Sequence, residues 1–286
     1  MSKLKFETVI IIGFGKIAQD VASILVQYGV TLKILQTELP PFSTLESFAK
    51  KEKIIYAFKK TKKEIESTLF DWLSGNTLVI SANNNYLFKD NLISRDDVKI
   101  INFHNALLPN LRGRNAPSWA IHHQLCETGV TWHYVDEGVD TGAAIAFDKV
   151  KIGDHDRAYQ VAHKCMQAGL DAFSNFITEL LEKGSVPCQE KYPLEHDYLY
   201  LSRDIPNGGI LRESHSIHEN YRILKALDYG PFDVFPKAEI TYKGMRYLIL
   251  SFLYIKLPTS ELLESSENCV VLQDDFSALK LKVKIK

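Results

Sequence analysis

The 286-residue sequence predicts an α/β protein, with a doubly wound, mostly parallel sheet followed by a smaller β-rich C-terminal domain. Three observations predict it. The runs VIIIG (9–13), TLVISA (77–82) and VKIINF (98–103) are nearly unbroken apolar stretches, as strands buried on both faces are. Segments with helical apolar spacing separate these runs. Past residue 190 the alternation gives way to one compact helix and β-rich segments divided by turn residues.

The first strand, 8–13, leads into a helix marked by Ile17, Val21, Ile24, Leu25 and Tyr28 and stopped at Gly29. Residues 30–35 form the second strand. Ser43 or Thr44 can cap a helix over 45–51, and 53–58 is the third strand. A helix over 61–73 leads to strand 77–82. Strand 98–103 precedes a loop whose Pro109, Gly113 and Pro117 prevent its continuation. The pattern then gives a helix over 117–127, strands at 129–135 and 143–152, and the longest helix from about Asp154 to Glu182. A helix over 216–227 precedes the terminal strands, with turns at Tyr242-Lys243-Gly244 and Gln273-Asp274-Asp275. This places a catalytic domain over 1–190 and a small α+β domain over 191–286.

Composition narrows the function classes. Hydrophobic residues at 45%, charged residues at 24% and a formal net charge of -1 describe an ordinary soluble protein. With no long run of one sign, nothing suggests a DNA-binding stripe or a polybasic membrane patch. No segment has the apolar length of a membrane helix, and the short apolar run after the N-terminus is a strand, not a leader. Cys126, Cys165, Cys188 and Cys269 lie far apart without a CxxC pair, so they read as thiols in a reducing compartment. A cytoplasmic location is the expectation, with no metal site.

The loop Gly13-Phe14-Gly15-Lys16-Ile17-Ala18 matches the spacing of a dinucleotide-binding turn, and Glu38 lies near the end of the second strand. An NAD-dependent oxidoreductase is therefore one reading. The other is a sheet turn in which glycine permits close packing without any cofactor.

Chemistry concentrates in INFHNALLPNLRGRNAPSWAI (101–121) and GVTWHYVDEGVDTGAAI (129–145). Asn102 and His104 share a face at the end of a strand, because alternate strand residues do. Asp140 lies in a later turn. Amide, imidazole and carboxylate together make a usable set for acyl transfer. His122-His123 lack a partner at metal-ligand spacing, and Trp132 and Tyr134 read as strand-packing residues; His133 reads as structural filler on one strand face, with a place at the border of the site as the alternative.

The string N-x-H-x-x-L-L-P-x-x-x-G, followed by G-V-T and D-T-G, resembles the formyltransferases that use N10-formyltetrahydrofolate, most of all the sugar N-formyltransferases. The resemblance is strong over 98–152 and thin beyond 190, where YRILKALDYGPF and PKAEITYKG carry it. It implies a Rossmann-like formyltransferase fold, with Asn102, His104 and Asp140 as the catalytic set. It further implies folate contacts at Asn85, Tyr86 and Leu87 and at the loop containing Glu137 and Val139. Arg112 and Arg114 would meet an anionic substrate. One departure stands out: Asn105-Ala106 replaces the Pro-Ser common in the family. The implied reaction formylates a primary amine, best matched by a nucleotide-linked amino sugar. An amino acid or methionyl-tRNA amine is the alternative within the family. The helix over 216–227 and the terminal strands could form a homodimer interface. The run 192–210, with Arg203, is either a linker or a cover for the substrate.

Overall fold

A computed structural model describes residues 4–40, 42–190, 192–194, 198–257 and 263–286. Part of the 192–210 run, residues 195–197, therefore lies outside the described residues. The first elements are β1 (Thr8–Gly13), α1 (Gly15–Val26), β2 (Thr31–Gln36), α2 (Leu45–Lys51), β3 (Ile55–Phe58), α3 (Lys62–Trp72), β4 (Thr77–Ala82), α4 (Asp90–Ile93) and β5 (Val98–His104). β6 (Arg112–Gly113), α5 (Ala116–His122), β7 (Glu127–Tyr134), β8 (Ala144–Lys151), α6 (Ala158–Lys183), β9 (Leu199–Tyr200) and β10 (Ile210–Arg212) follow. The chain ends with α7 (Ile217–Leu227), β11 (Glu239–Tyr242), β12 (Met245–Lys256), β13 (Cys269–Gln273) and β14 (Ser277–Ile285).

The first sheet has the order β3-β2-β1-β4-β5-β7-β8. Its first five strands pair in parallel, while β7 runs antiparallel to both β5 and β8. The sheet is thus mostly parallel, with one reversed strand. β1 and β4 are buried along their whole length, which is why their sequences show no polar alternation. Winding reverses at the β1/β4 pair, and in such sheets ligands bind outside the strand ends near that reversal.

Trp132 anchors the side of the sheet facing α6. It is fully buried, packs on Phe103 and Phe173 at ring separations of 5.4 and 5.0 Å, and donates from Nε1 to the Gly169 carbonyl at 2.8 Å. The indole thus contributes apolar area while its one donor stays satisfied.

Local chemistry explains several boundaries. Thr61 accepts from the Glu64 amide at 3.3 Å, and the Glu64 carboxylate accepts from the Thr61 amide at 3.1 Å, closing a capping box on α3. Thr61→Ala is expected to remove about 1 kcal/mol of stability, measurable as a lower urea midpoint at unchanged slope. Thr44 does occupy the cap position of α2, but its hydroxyl donates to Gln19 Oε1 at 2.6 Å instead of capping the helix. The expected strand 53–58 starts at Ile55 because Lys53 turns the chain at φ +55°. The expected helix 117–127 stops at His122: Gln124 at φ +58° ends it, and Glu127 already opens β7. The long helix begins at Ala158, after a turn in which the Gly153 amide donates to the Asp156 carboxylate at 2.7 Å. The short elements α4, β9 and β10 have no counterpart in the sequence reading.

Internal contacts divide the chain into two units, 1–113 with 127–151 and 163–199, and 114–126 with 152–162 and 200–286. Segments 114–126 and 152–162 are thus grouped with the C-terminal sheet, although both precede residue 190. That sheet has the order β10-β11-β12-β14-β13. α7 packs on it through Ile217, Ile223 and Leu224, against Leu211, Ile240, Ile249, Leu279 and Leu281.

Candidate active site

Asn102 and His104 end β5 on one face, while Phe103 between them points into the core. The antiparallel register of β7 sets His133 opposite Asn102 and Thr131 opposite His104. Asp140, at φ +55° in the turn between β7 and β8, brings a carboxylate to the same place. Four side chains meet there. Asn102 Nδ2 donates to His133 Nε2 at 3.0 Å and to Asp140 Oδ1 at 3.4 Å. His104 Nδ1 lies 3.4 Å from Asp140 Oδ2, and His133 Nε2 lies 3.5 Å from Oδ1. The Gly113 amide donates to Oδ2 at 2.8 Å. The side chains of His104 and Asp140 are only 7% and 11% exposed, so these contacts operate with little screening.

The proton positions follow from the partners. His133 Nδ1 faces the Tyr134 carbonyl at 2.8 Å and donates to it, which leaves Nε2 as the acceptor for Asn102. His104 stands between two acceptors, the Leu111 carbonyl 3.0 Å from Nε2 and Asp140 Oδ2 at Nδ1. A neutral ring has one N–H and serves only one of them; the imidazolium serves both. Burial pushes the His104 pKa down, against the upward pull of Asp140 and the Leu111 carbonyl. Burial would raise Asp140, but the charge His104 carries when protonated and the Gly113 amide hold its carboxyl well below the usual range. The site therefore keeps a carboxylate beside an imidazole that resists charging.

The surrounding loops are fixed by backbone detail. Thr131, fully buried, donates to the Ala106 carbonyl at 2.7 Å and accepts from the Leu108 amide at 3.0 Å, so it ties the Leu-Leu-Pro loop to β7. Leu111 is buried at φ +54°, a strained conformation for a branched residue, and its carbonyl is the one facing His104. A Cβ on Gly142 would lie 1.8 Å from the Tyr134 carbonyl oxygen, which explains the glycine of D-T-G as a close-approach point. Asn105, at the departure from Pro-Ser, buries an Oδ1 without a hydrogen-bond partner.

The remaining expected site residues are placed unevenly. The Tyr86 ring is buried in the core beside Phe88, 5.5 Å away and edge-on, so the ring itself is not open to a ligand. Asn84 fixes that loop by accepting from the Tyr86 amide and donating to the Tyr86 carbonyl, both at 2.9 Å. Asn85 is half-buried and Leu87 exposed. Glu137 is exposed and Val139 half-buried, in a loop held by Thr141 donating to Asp136 Oδ1 at 2.6 Å. Arg112 and Arg114 are both half-buried. Tyr200, from the aromatic run, stacks on Trp119 at 4.0 Å, and Arg203 is exposed. His133 is the residue the sequence reading left outside the catalytic set. Its signal is the pairing of β5 with β7, which sets it directly opposite Asn102.

The opening loop has a structural explanation. A Cβ on Gly13 would lie 1.9 Å from the Ala82 carbonyl oxygen, and the Phe14 amide donates to the Asn83 carbonyl at 3.2 Å. Gly13 is therefore required by the approach of β1 to β4, and an amide that a phosphate would need is already engaged.

Residues 46–177 match the family described as formyl transferase. The matched stretch, just under half of the chain, contains Asn102, His104, His133 and Asp140. The chain is 27% identical over 151 residues to the GDP-perosamine N-formyltransferase of Brucella melitensis, covering 53% of this chain and 55% of that one. It is 28% identical over 151 residues to the methionyl-tRNA formyltransferase of Clostridioides difficile, covering 52% and 48%. The chain thus spans about half the length of the curated relatives it matches. Among solved structures, an N-formyltransferase from Helicobacter canadensis, in complex with folinic acid and dTDP-3-aminofucose, superposes with a TM-score of 0.72. It is 14% identical, with 98% of this chain and 100% of that one covered, a likeness of fold that extends beyond residues 46–177.

Proposed function

We propose that this protein transfers a formyl group from N10-formyltetrahydrofolate to a primary amine, that of a nucleotide-linked amino sugar. The observation that carries this is the meeting of Asn102, His104, His133 and Asp140 within a formyl transferase domain. The amino-sugar acceptor is supported by the perosamine relative and by the aminofucose complex of the H. canadensis enzyme. The folinic acid in that complex supports the donor. The net charge of -1 favours a small acceptor over methionyl-tRNA.

The donor supplies the activated formyl carbon; this chain's residues handle protons and charge. With Nδ1–H held toward Asp140, His104 takes the proton of the attacking amine at Nε2, the amine replacing the Leu111 carbonyl as that nitrogen's partner. The imidazolium so formed is matched by the Asp140 carboxylate and returns the proton to N10 as the tetrahedral carbon collapses, its bond to N10 breaks and tetrahydrofolate leaves. Asn102 exchanges its 3.4 Å bond to Asp140 for one to the developing oxyanion, and His133 holds the amide in that orientation. The main chain of 85–87, with Leu87 and the 137–139 segment, forms the folate contacts, and Arg112 and Arg114 meet the anionic part of the acceptor.

We extend the proposal to a cytoplasmic homodimer that binds neither DNA nor membrane. Exposed Met245, Leu250 and Ile285 on the C-terminal sheet support self-association. No helix among the described residues is long and apolar enough to cross a membrane, and their four cysteines are free.

The test is formyl transfer to a panel of amino-sugar nucleotides, with thermal-shift titrations against N5-formyltetrahydrofolate and NADH. The folate is expected to raise the melting temperature with concentration and NADH to leave it unchanged. His104→Ala is expected to cut transfer by about 10²–10⁴-fold with the folate shift retained. Stabilisation by NADH alone would overturn the proposal.

A further inference from the structure

The C-terminal unit contains a cavity of about 300 Å³ lined by His155, Arg157, Tyr221, Leu253, Tyr254 and Lys256. It shares no residue with the formyl-transfer site. Its back wall is aromatic: Tyr221 and Tyr254 stack with ring centroids 4.6 Å apart and planes within 18°. Both hydroxyls are tied down, Tyr221 to His155 Nδ1 and Tyr254 to His218 Nε2, each at 3.4 Å. Phe252 meets Tyr221 nearly edge-on at 6.1 Å. The wall is therefore a rigid platform, and ordering it on binding costs little.

The rim is cationic. Arg157 lies over the Phe252 ring at 4.7 Å and gives one nitrogen to Asp228 at 2.7 Å, and its side chain stays 45% exposed. Lys256 is exposed at the end of β12. Lys225 stands over the Tyr221 ring at 5.0 Å, anchored on the Asp154 carbonyl, and burial lowers its pKa against the pull of Asp154 and Asp156. None of the lining residues is a carboxylate. A fixed aromatic face offers stacking to a planar ring, and a guanidinium beside an ammonium suits phosphate. The volume lies at the small end of ligand pockets.

We propose that this cavity is an accessory binding site for a nucleoside phosphate, its base stacking on Tyr254, which Tyr221 backs, and its phosphates meeting Arg157 and Lys256. The site stands apart from the formyl-transfer reading and survives its failure.

The experiment is calorimetric titration of the intact protein with GDP and dTDP, and separately with guanosine and inorganic pyrophosphate. The variants are Lys256→Glu, at an exposed position, and Tyr254→Leu, with melting temperature as the fold control. Wild type is expected to show a nucleotide-binding event that Lys256→Glu weakens at least tenfold and His104→Ala leaves intact. Guanosine and pyrophosphate are each expected to bind at least tenfold more weakly than GDP. Nucleotide binding that is absent, or indifferent to both variants, overturns the proposal. Pyrophosphate binding as tight as GDP overturns the stacking role of the tyrosines. A Lys256-sensitive event in a protein that transfers no formyl group would sink only the proposed function.

Discussion

Asp140→Asn is expected to lower formyl transfer by about 10³-fold and to lower the melting temperature at neutral pH. The amide keeps an oxygen for the Gly113 N–H but loses the charge facing His104. The folded site holds the carboxyl below its usual range, so the ionised form contributes stability above the unfolded pKa that the amide gives up. A variant that still binds the folate while transferring no formyl group separates catalysis from folding. The pH dependence gives a second readout. Burial holds the folded-state pKa of His104 below that of an ordinary imidazole, near 6.5 in the unfolded chain. The unfolded chain therefore binds a proton that the native state refuses, and stability from this group falls as pH drops from about 6.5 through the folded value. The acid limb of activity is likewise expected below pH 6.5. Removing the Asp140 charge takes away the main influence raising the His104 pKa, so Asp140→Asn should move that limb further toward acid. A limb that moved toward neutral pH, or transfer within tenfold of wild type, would contradict the assigned roles.

Gly13→Ala is expected to have the largest effect on stability, about 3 kcal/mol or more. Its methyl would overlap the Ala82 carbonyl oxygen at 1.9 Å and the carbonyl carbon at 2.7 Å, with φ at +152°. Because the overlap is with backbone, relief requires moving β1 away from β4 at the centre of the sheet. Gly15→Ala is the internal control. At φ +74°, with Asn83 Nδ2 at 3.8 Å as its nearest neighbour, it meets backbone preference alone, about 1–2 kcal/mol. Urea unfolding of the two variants decides between the readings of the loop. A sheet turn makes Gly13 far more sensitive than Gly15, whereas equal small losses would remove the close-packing explanation.

What was legible in the sequence was what depends on local pattern. The buried strands announce themselves through unbroken apolar runs, and period-2 alternation already put Asn102 beside His104. His133 was not legible in the same way. Its place opposite Asn102 depends on β7 being reversed, whereas alternating strands and helices ordinarily imply parallel neighbours. The helix and strand ends misjudged at Lys53 and Gln124 share a cause: each is a non-glycine residue at positive φ, which composition does not reveal. Tyr86 shows the complementary failure. A motif position can belong to a binding loop while its ring belongs to the core, because loop and core are adjacent in space.

The reversed strand also bears on how the site comes into being. Thr8 must find Thr77 to start the central parallel pairing, whereas Phe103 needs only to find Trp132, and Trp132 only Ala146. Closing a longer loop costs more chain entropy before any contact repays it, and sheets built from distant pairings form slowly. All four groups of the candidate site lie in the β5–β7–β8 meander or in the turn inside it. The chemical centre thus forms without waiting for the β1–β4 pairing, the step that must bring distant sequence together at the middle of the sheet.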